Sequence, residues 1–304
     1  MRQIAPIAIA AAAIAMVAPA RAASTGFSGS YLYMLSDTTG RIPYSWPSLS
    51  WDPLAGELYV VTGGLVDVFS ENGMAIYGFA TETGYGAPSA VVAVSSGDLY
   101  VLANRDDQTS VVRCNYRGEP IARLELKGLP KDFADGFTPT ALATANGKLY
   151  VADKNRARVA IVALDGTVEK TFDFQESMGI DERHRPDAEM RAFNVDGAGN
   201  MLFTFTTLFT AYVVSPDGKA RAFGQKGSAP GKFGNAAGIA SDESGHIYVS
   251  DTLRAVVLVF DAADLQFIGE FGGMRAPSQI AATGGKVYVA QSIGGIRVFG
   301  VQFD

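Results

Sequence analysis

The sequence predicts an all-β fold: a six-bladed β-propeller with four antiparallel strands per blade, its last blade closed by the N-terminal strand 29–36. Three observations predict it. A turn glycine followed by β-branched and aromatic residues recurs six times. The copies are spaced as blades are. The last unit stops one strand short, and an orphan strand stands at the other end of the chain.

The recurring phrase is Gly56-Glu-Leu-Tyr-Val60, then Gly97-Asp-Leu-Tyr-Val101, Gly147-Lys-Leu-Tyr-Val151, Gly199-Asn-Met-Leu-Phe203, Gly245-His-Ile-Tyr-Val249 and Gly285-Lys-Val-Tyr-Val289. The gaps between its glycines are 41, 50, 52, 46 and 40 residues. Periods of this size mark propeller blades or helical arrays. The β-branched and aromatic content decides for strands. Ahead of the phrase comes a run of small residues, such as Pro47-Ser-Leu-Ser-Trp51, Pro88-Ser-Ala-Val-Val92 and Pro139-Thr-Ala-Leu-Ala143. Small side chains suit an innermost strand, where the blades converge. Behind it comes a third strand, such as Val66-Asp-Val-Phe69 or Val159-Ala-Ile-Val162, and then a turn such as Asn72-Gly73, Asp165-Gly166 or Asp217-Gly218 that leads to a fourth. Asn-Gly and Asp-Gly are hairpin turns, because glycine adopts positive φ at little cost. Four antiparallel strands per unit make a blade.

The ends complete the pattern. The sixth unit has three strands when the chain stops at Asp304, and Ser30-Tyr-Leu-Tyr-Met-Leu35 precedes the first inner strand. Residues 29–36 are therefore expected to pair with 295–301. That closure covers two sheet edges that would otherwise invite aggregation.

The first 22 residues read as a signal peptide ahead of a propeller spanning 28–304. Arg2 is followed by an uncharged run from Ile4 to Val17 and by Ala20-Arg21-Ala22, a small-x-small cleavage pattern. The run is short for a membrane span, which takes ~20 apolar residues. The expectation is a secreted or periplasmic protein that does not enter the membrane once the leader is removed. Losing residues 1–22 takes two of 25 basic residues and no acid, so 23 bases face 31 acids at net −8. Such a surface repels phosphate backbones and argues against nucleic acid as a partner. Cys114 is the single thiol, so neither an internal disulfide nor a cysteine-rich zinc site can form.

These residues resemble the NHL repeat, a six-bladed propeller family, of a secreted bacterial type. The resemblance covers about residues 28–304 and is best in the fifth blade. There Phe223-Gly-Gln-Lys-Gly227, Gly231-Lys-Phe233, Gly238-Ile-Ala240, Asp242 and Gly245-His-Ile-Tyr-Val-Ser-Asp251 follow the repeat in order. Tyr150-Val-Ala-Asp153 with Arg158-Val159 adds the third blade, whereas the fourth has Phe205 and the first Thr62 where the repeat has Asp. The resemblance implies the fold. Members of the family bind proteins, bind RNA, sense ligands or act as lyases, so function is argued from the site.

The amidating lyases of the family hold zinc with three histidines. This chain has two, His184 and His246, and no His₃ site can be built from them. Lactonase-like propellers hold calcium in the channel. The position after each Tyr-Val phrase, read round the ring, is Thr62, Ala103, Asp153, Phe205, Asp251 and Gln291. Asp153, Asp251 and Gln291 are weak metal candidates, because calcium takes about 6–8 oxygens. The plainer reading has the acids bonding turn amides or arginines, with Asp153 paired to Arg156 or Arg158. No cofactor is expected, and calcium is the alternative left open. Cys114 lies in an apolar strand and reads as an inert thiol. No Gly-x-Ser-x-Gly elbow, P-loop or dinucleotide fingerprint is present.

Two long connections stand out, 127–139 and 175–191. Both join an outer strand to the next inner strand, which puts them on one face beside the channel. Long loops on a rigid scaffold are the usual carriers of function. The second holds Arg183, His184, Arg185 and Arg191, of which Arg185 and Arg191 suit a carboxylate. Trp46, Tyr85, Phe133 and Phe137 fall in equivalent connections, together with Tyr44. Exposed aromatics beside arginine would form a hot spot for a protein or peptide; the alternative is that some plug gaps between blades. The leading expectation is a binding or scaffolding module for a protein, a peptide or a small ligand on this face. The second is a metal-dependent hydrolase or lyase working in the channel.

Overall fold

The structure, a computed structural model, describes residues 26–37, 44, 46–79, 84–183, 185, 188–205, 207–292 and 294–303. The leader assigned to 1–22 and the candidate His184 lie outside the described residues.

Six four-stranded antiparallel sheets form the ring. The first blade is β2 (Ser48–Asp52), β3 (Glu57–Thr62), β4 (Leu65–Ser70) and β5 (Ala75–Phe79). The second is β6 (Ala87–Ala93), β7 (Leu99–Arg105), β8 (Gln108–Cys114) and β9 (Pro120–Leu124). The third is β10 (Ala141–Ala145), β11 (Lys148–Asp153), β12 (Arg158–Ala163) and β13 (Val168–Asp173). The fourth is β14 (Met190–Val195), β15 (Met201–Phe205), β16 (Thr210–Val214) and β17 (Ala220–Phe223). The fifth is β18 (Ala236–Ser241), β19 (His246–Asp251), β20 (Val256–Asp261) and β21 (Phe267–Phe271). The sixth runs β22 (Pro277–Ala282), β23 (Lys286–Gln291), β24 (Ile296–Phe303) and then β1 (Phe27–Met34).

The expected closure is present. β1 pairs with β24 from Phe27 opposite Phe303 to Met34 opposite Arg297, and the Leu35 amide continues the ladder to the Ile296 carbonyl at 2.9 Å. The strand begins two residues earlier than the sequence predicts, because Phe27 packs between Phe271 and Phe303 with ring centroids at 6.2 and 5.2 Å.

Each of the six blade interfaces holds its own apolar cluster, to which the inner three strands of neighbouring blades contribute. The tyrosine of the repeated phrase explains the recurrence. Buried phenols need a partner, and three of them find it on the next blade: Tyr100 donates to Leu164 O (2.8 Å), Tyr150 to Gly199 O (3.2 Å) and Tyr288 to Glu71 O (3.1 Å). Tyr248 instead donates to Asp242 of its own blade at 2.8 Å.

Two short helices lie in the long connections, α1 (Lys131–Ala134) and α2 (Phe174–Ser177). Both connections are tied down. Phe133 is buried and Arg158 donates to the Phe133 and Asp135 carbonyls. Gln175, also buried, donates to the carbonyls of Arg185 (2.8 Å) and Ala188 (3.0 Å), which staples the second connection across its base.

Candidate functional site

The inner strands β2, β6, β10, β14, β18 and β22 surround an open central channel of about 850 Å³. Its wall alternates small polar side chains (Ser48, Ser50, Asn194, Ser241) with apolar ones (Ala93, Ala141, Phe193). This volume falls in the range of ligand pockets, roughly 300–1,000 Å³.

One mouth opens on the face that carries connections 127–139 and 175–191. Four inner strands break register near that mouth: between Pro88 and Ala90, Met190 and Ala192, Ala236 and Ile239, and Pro277 and Ile280. A bulge inserts an unpaired residue and re-aims its side chain. The inserted residues include Arg191, Ala237, Ser278 and Gln279, and these four line the mouth with Trp46 and Lys154. Gly238 makes the bulge of the fifth blade feasible, since a Cβ there would lie 2.1 Å from the Ser278 carbonyl oxygen.

Lys154 is held by its backbone on both sides. Its amide donates to Thr140 Oγ1 at 2.9 Å, and its carbonyl accepts from the Met190 amide at 2.9 Å. Among the described residues no hydrogen bond or ion pair reaches its amine. Burial, with the Arg191 guanidinium nearby, lowers its pKa below the usual lysine value, and Glu189 works against that shift. Trp46 stands 62% exposed beside these groups with φ at +51°, a conformation that costs energy in a bulky residue.

The other mouth is acidic. Asp52, Asp196, Asp242 and Glu243 line it. The three aspartates accept amides of the turns they open: Leu54 on Asp52, Ala198 and Asn200 on Asp196, Ser244 and His246 on Asp242. Glu243 accepts from the Trp51 indole at 3.3 Å across the opening.

The candidates read from the sequence separate on this surface. Trp46 and Arg191 stand together at the mouth. Arg183 is exposed on the loop, where its amide donates to Asp181 Oδ1. Arg185 is half-buried and its Nε donates to the Ile180 carbonyl at 3.2 Å, which holds it to its own loop. The Phe133 ring is buried between the second and third blades, with Phe137 5.0 Å away. Tyr85 packs on the cluster between the first and second blades and donates to Gly118 O. Tyr44 is buried between the sixth and first. These four rings fill gaps between blades.

Asp153, Asp251 and Gln291 are buried, and their oxygens accept backbone amides. Asp153 accepts from Thr138, Asn155 and Arg156, Asp251 from Gly234, Asn235, Leu253 and Arg254, and Gln291 from Arg275. The ion pair expected between Asp153 and Arg156 or Arg158 is absent. Arg158 pairs with Asp173 at 2.8 Å, and Arg156 turns its guanidinium to the Asp135 carbonyl. Among the described residues no group of three or more His, Cys, Asp or Glu is placed to hold a metal ion. Cys114 is buried, and burial raises its thiol to about 11. Ellman's reagent is therefore expected to leave the folded protein unlabelled and to react fully in denaturant; rapid reaction of the native chain would contradict this packing.

Lys154 and Gln279 were not singled out by the sequence. Lys154 directly follows the Asp of a repeat phrase, and Gln279 interrupts a small-residue inner strand. A long polar side chain in an otherwise small or apolar context was the available sign.

No family model matches the chain, and no curated protein matches it. Solved structures do. A protein of unknown function from Bacteroides thetaiotaomicron is similar at TM-score 0.64 and 12% identity, over 90% of this chain and 76% of that one. Virginiamycin B lyase from Staphylococcus aureus is similar at TM-score 0.61 and 11% identity, over 91% of this chain and 100% of the lyase. A chain of a nidogen/laminin complex is similar at TM-score 0.58 and 15% identity, over 77% of this chain and 85% of that one. What they share with this chain is the six-bladed propeller fold. The same scaffold serves an enzyme in one and belongs to a protein complex in another, as expected when function resides in sites grafted on a fold.

Proposed function

We propose that this chain is a secreted or periplasmic propeller of the NHL-repeat kind. It acts as a non-catalytic binding module that takes a small ligand, or the end of a peptide or protein partner, into the channel mouth beside connections 127–139 and 175–191. The observation that carries this reading is the open mouth itself, where Lys154, Arg191, Gln279 and the exposed Trp46 surround a channel of ligand size. Amine, guanidinium, amide and indole are recognition groups, and an exposed Trp beside Arg is the usual anchor of an interface. The NHL assignment rests on the repeat residues quoted above. The location rests on the leader pattern, and no described helix is long and apolar enough to cross a membrane.

Ser50 lines the channel in β2. A Ser50→Trp variant would place an indole at the channel wall and narrow the channel. A fragment library of mixed charge, screened by protein NMR, is expected to give ligands that shift the Trp46 indole resonance. Those ligands should be lost in Ser50→Trp, with a cooperative melting transition showing that the variant is folded. Ligands that bind both proteins alike would place the site elsewhere.

A further inference from the structure

The channel is charged in opposite senses at its two ends, and this polarity defines a ligand. At one end stand two cations, Lys154 and Arg191. At the other stand Asp52, Asp196, Asp242 and Glu243. Inner strands of about five or six residues separate the ends, a span of roughly 17–20 Å at the rise of a strand. The wall between them is neither apolar nor uniformly charged. Hydroxyl and amide groups of Ser48, Ser50, Asn194 and Ser241 alternate with Ala93, Ala141 and Phe193. That mixture offers partners to a polar main chain and room for small side chains.

We infer that the channel binds a short linear peptide with both ends free, extended along the axis with its carboxylate at Lys154 and Arg191 and its amino group toward the acidic mouth. The inference rests on the proposed channel site and names its ligand class. Four features support it. The Lys154 amine has no hydrogen bond or ion pair among the described residues and is anchored by its backbone at the rim. Arg191 and Gln279 are delivered to the same rim by bulges. A guanidinium and an amine are matched to a carboxylate by charge and donor geometry. At the far end the aspartates use their oxygens on turn amides, which fixes their positions, and their charge repels an anion entering in the wrong sense. A plain organic acid would satisfy only one end. A peptide of about five or six residues reaches both.

The test uses the mature chain and four versions of the peptide Ala-Ser-Ala-Val-Ala: both ends free, acetylated, amidated, and blocked at both ends. Binding is measured by isothermal titration calorimetry. The free peptide is expected to bind best. Amidation and Lys154→Met should each weaken it by about tenfold, as loss of a charge-assisted hydrogen bond does. Arg191→Gln should act in the same direction. Acetylation and Glu243→Gln should weaken it at the other end, whereas Lys219→Gln on an outer turn should leave it unchanged. Equal binding of the free and doubly blocked peptides overturns the inference. So does a loss on amidation without any on acetylation, which would make the ligand an organic acid. Binding that survives Lys154→Met but is abolished by Ser50→Trp leaves the channel as the site and removes this ligand class. If no peptide binds while fragments still bind in a Ser50→Trp-sensitive way, this inference fails and the proposed function stands. If the free peptide binds Ser50→Trp as well as it binds the wild type, both fail.

Discussion

A chain beginning at Arg41 is expected to aggregate on expression or to melt at least about 10 °C below the chain that retains β1. The reason is the closure of the sixth blade. β1 supplies the fourth strand of that sheet, and removing it bares the edge of β24 along Ile296–Phe303, a long apolar strand of the kind that recruits other chains. It also removes packing. Leu35 is fully buried between the sixth and first blades, Phe27 sits between two phenylalanines, and Tyr33 donates to the Glu71 carbonyl of the first blade. Two to three large side chains are worth about 3–8 kcal/mol of burial, toward the lower end here because Phe27 and Tyr33 are only partly covered. Tyr31 and Leu32 are 53% and 45% exposed and add little to that figure. A ring is more sensitive than an open sheet, because losing one edge frees both neighbouring interfaces. Calorimetry of the two purified chains measures the difference. Coincident melting curves would mean that the ring holds without its closing strand.

The ring was legible because its cause is repeated six times. Every copy of the phrase asks for a turn at its glycine and the same second strand, and three of its tyrosines solve one problem in the same way, a buried hydroxyl bonded to the next blade. The site was legible only in part because its causes are not repeated. Arg191 was visible as one of several arginines in a long loop, but its position at the mouth depends on a bulge, and a bulge alters pairing without leaving a fixed sequence mark. Ser278 and Gln279 reach the mouth by the same device in another blade. The aromatic residues were ambiguous for a different reason. Phe133 and Trp46 occupy equivalent connections, yet Phe133 closes over an apolar gap beside Leu142 and Val151, whereas Trp46 is held outward at positive φ. Only the packing tells them apart.

Replacing Asp251 with Ala is expected to lower the melting temperature by about 10–15 °C, more than the same change at any other position of its ring. Asp251 is fully buried, and its two oxygens accept four amides: Gly234 at 2.6 Å, Asn235 at 3.0 Å, Leu253 at 3.1 Å and Arg254 at 2.9 Å. Two of these belong to the connection that enters the fifth blade and two to its own hairpin, so one side chain ties both turns of the blade at the channel end. Losing it leaves four part-buried donors without their acceptor, each worth about 1–3 kcal/mol and not fully additive, for a total of about 3–6 kcal/mol. The third blade repeats the arrangement with fewer bonds. Asp153 takes three amides, and Arg156 reaches the Asp135 carbonyl as Arg254 reaches Lys232. Gln291 takes one amide and donates to Gly294 O. The destabilisation should therefore fall in the order Asp251→Ala, Asp153→Ala, Gln291→Ala. It should be the same in calcium and in chelator, because turn amides occupy these oxygens. A wild-type melting temperature that drops on chelation would assign the three positions to a bound cation instead, and an Asp251→Ala chain as stable as the parent would show that these amide bonds do not hold the blade.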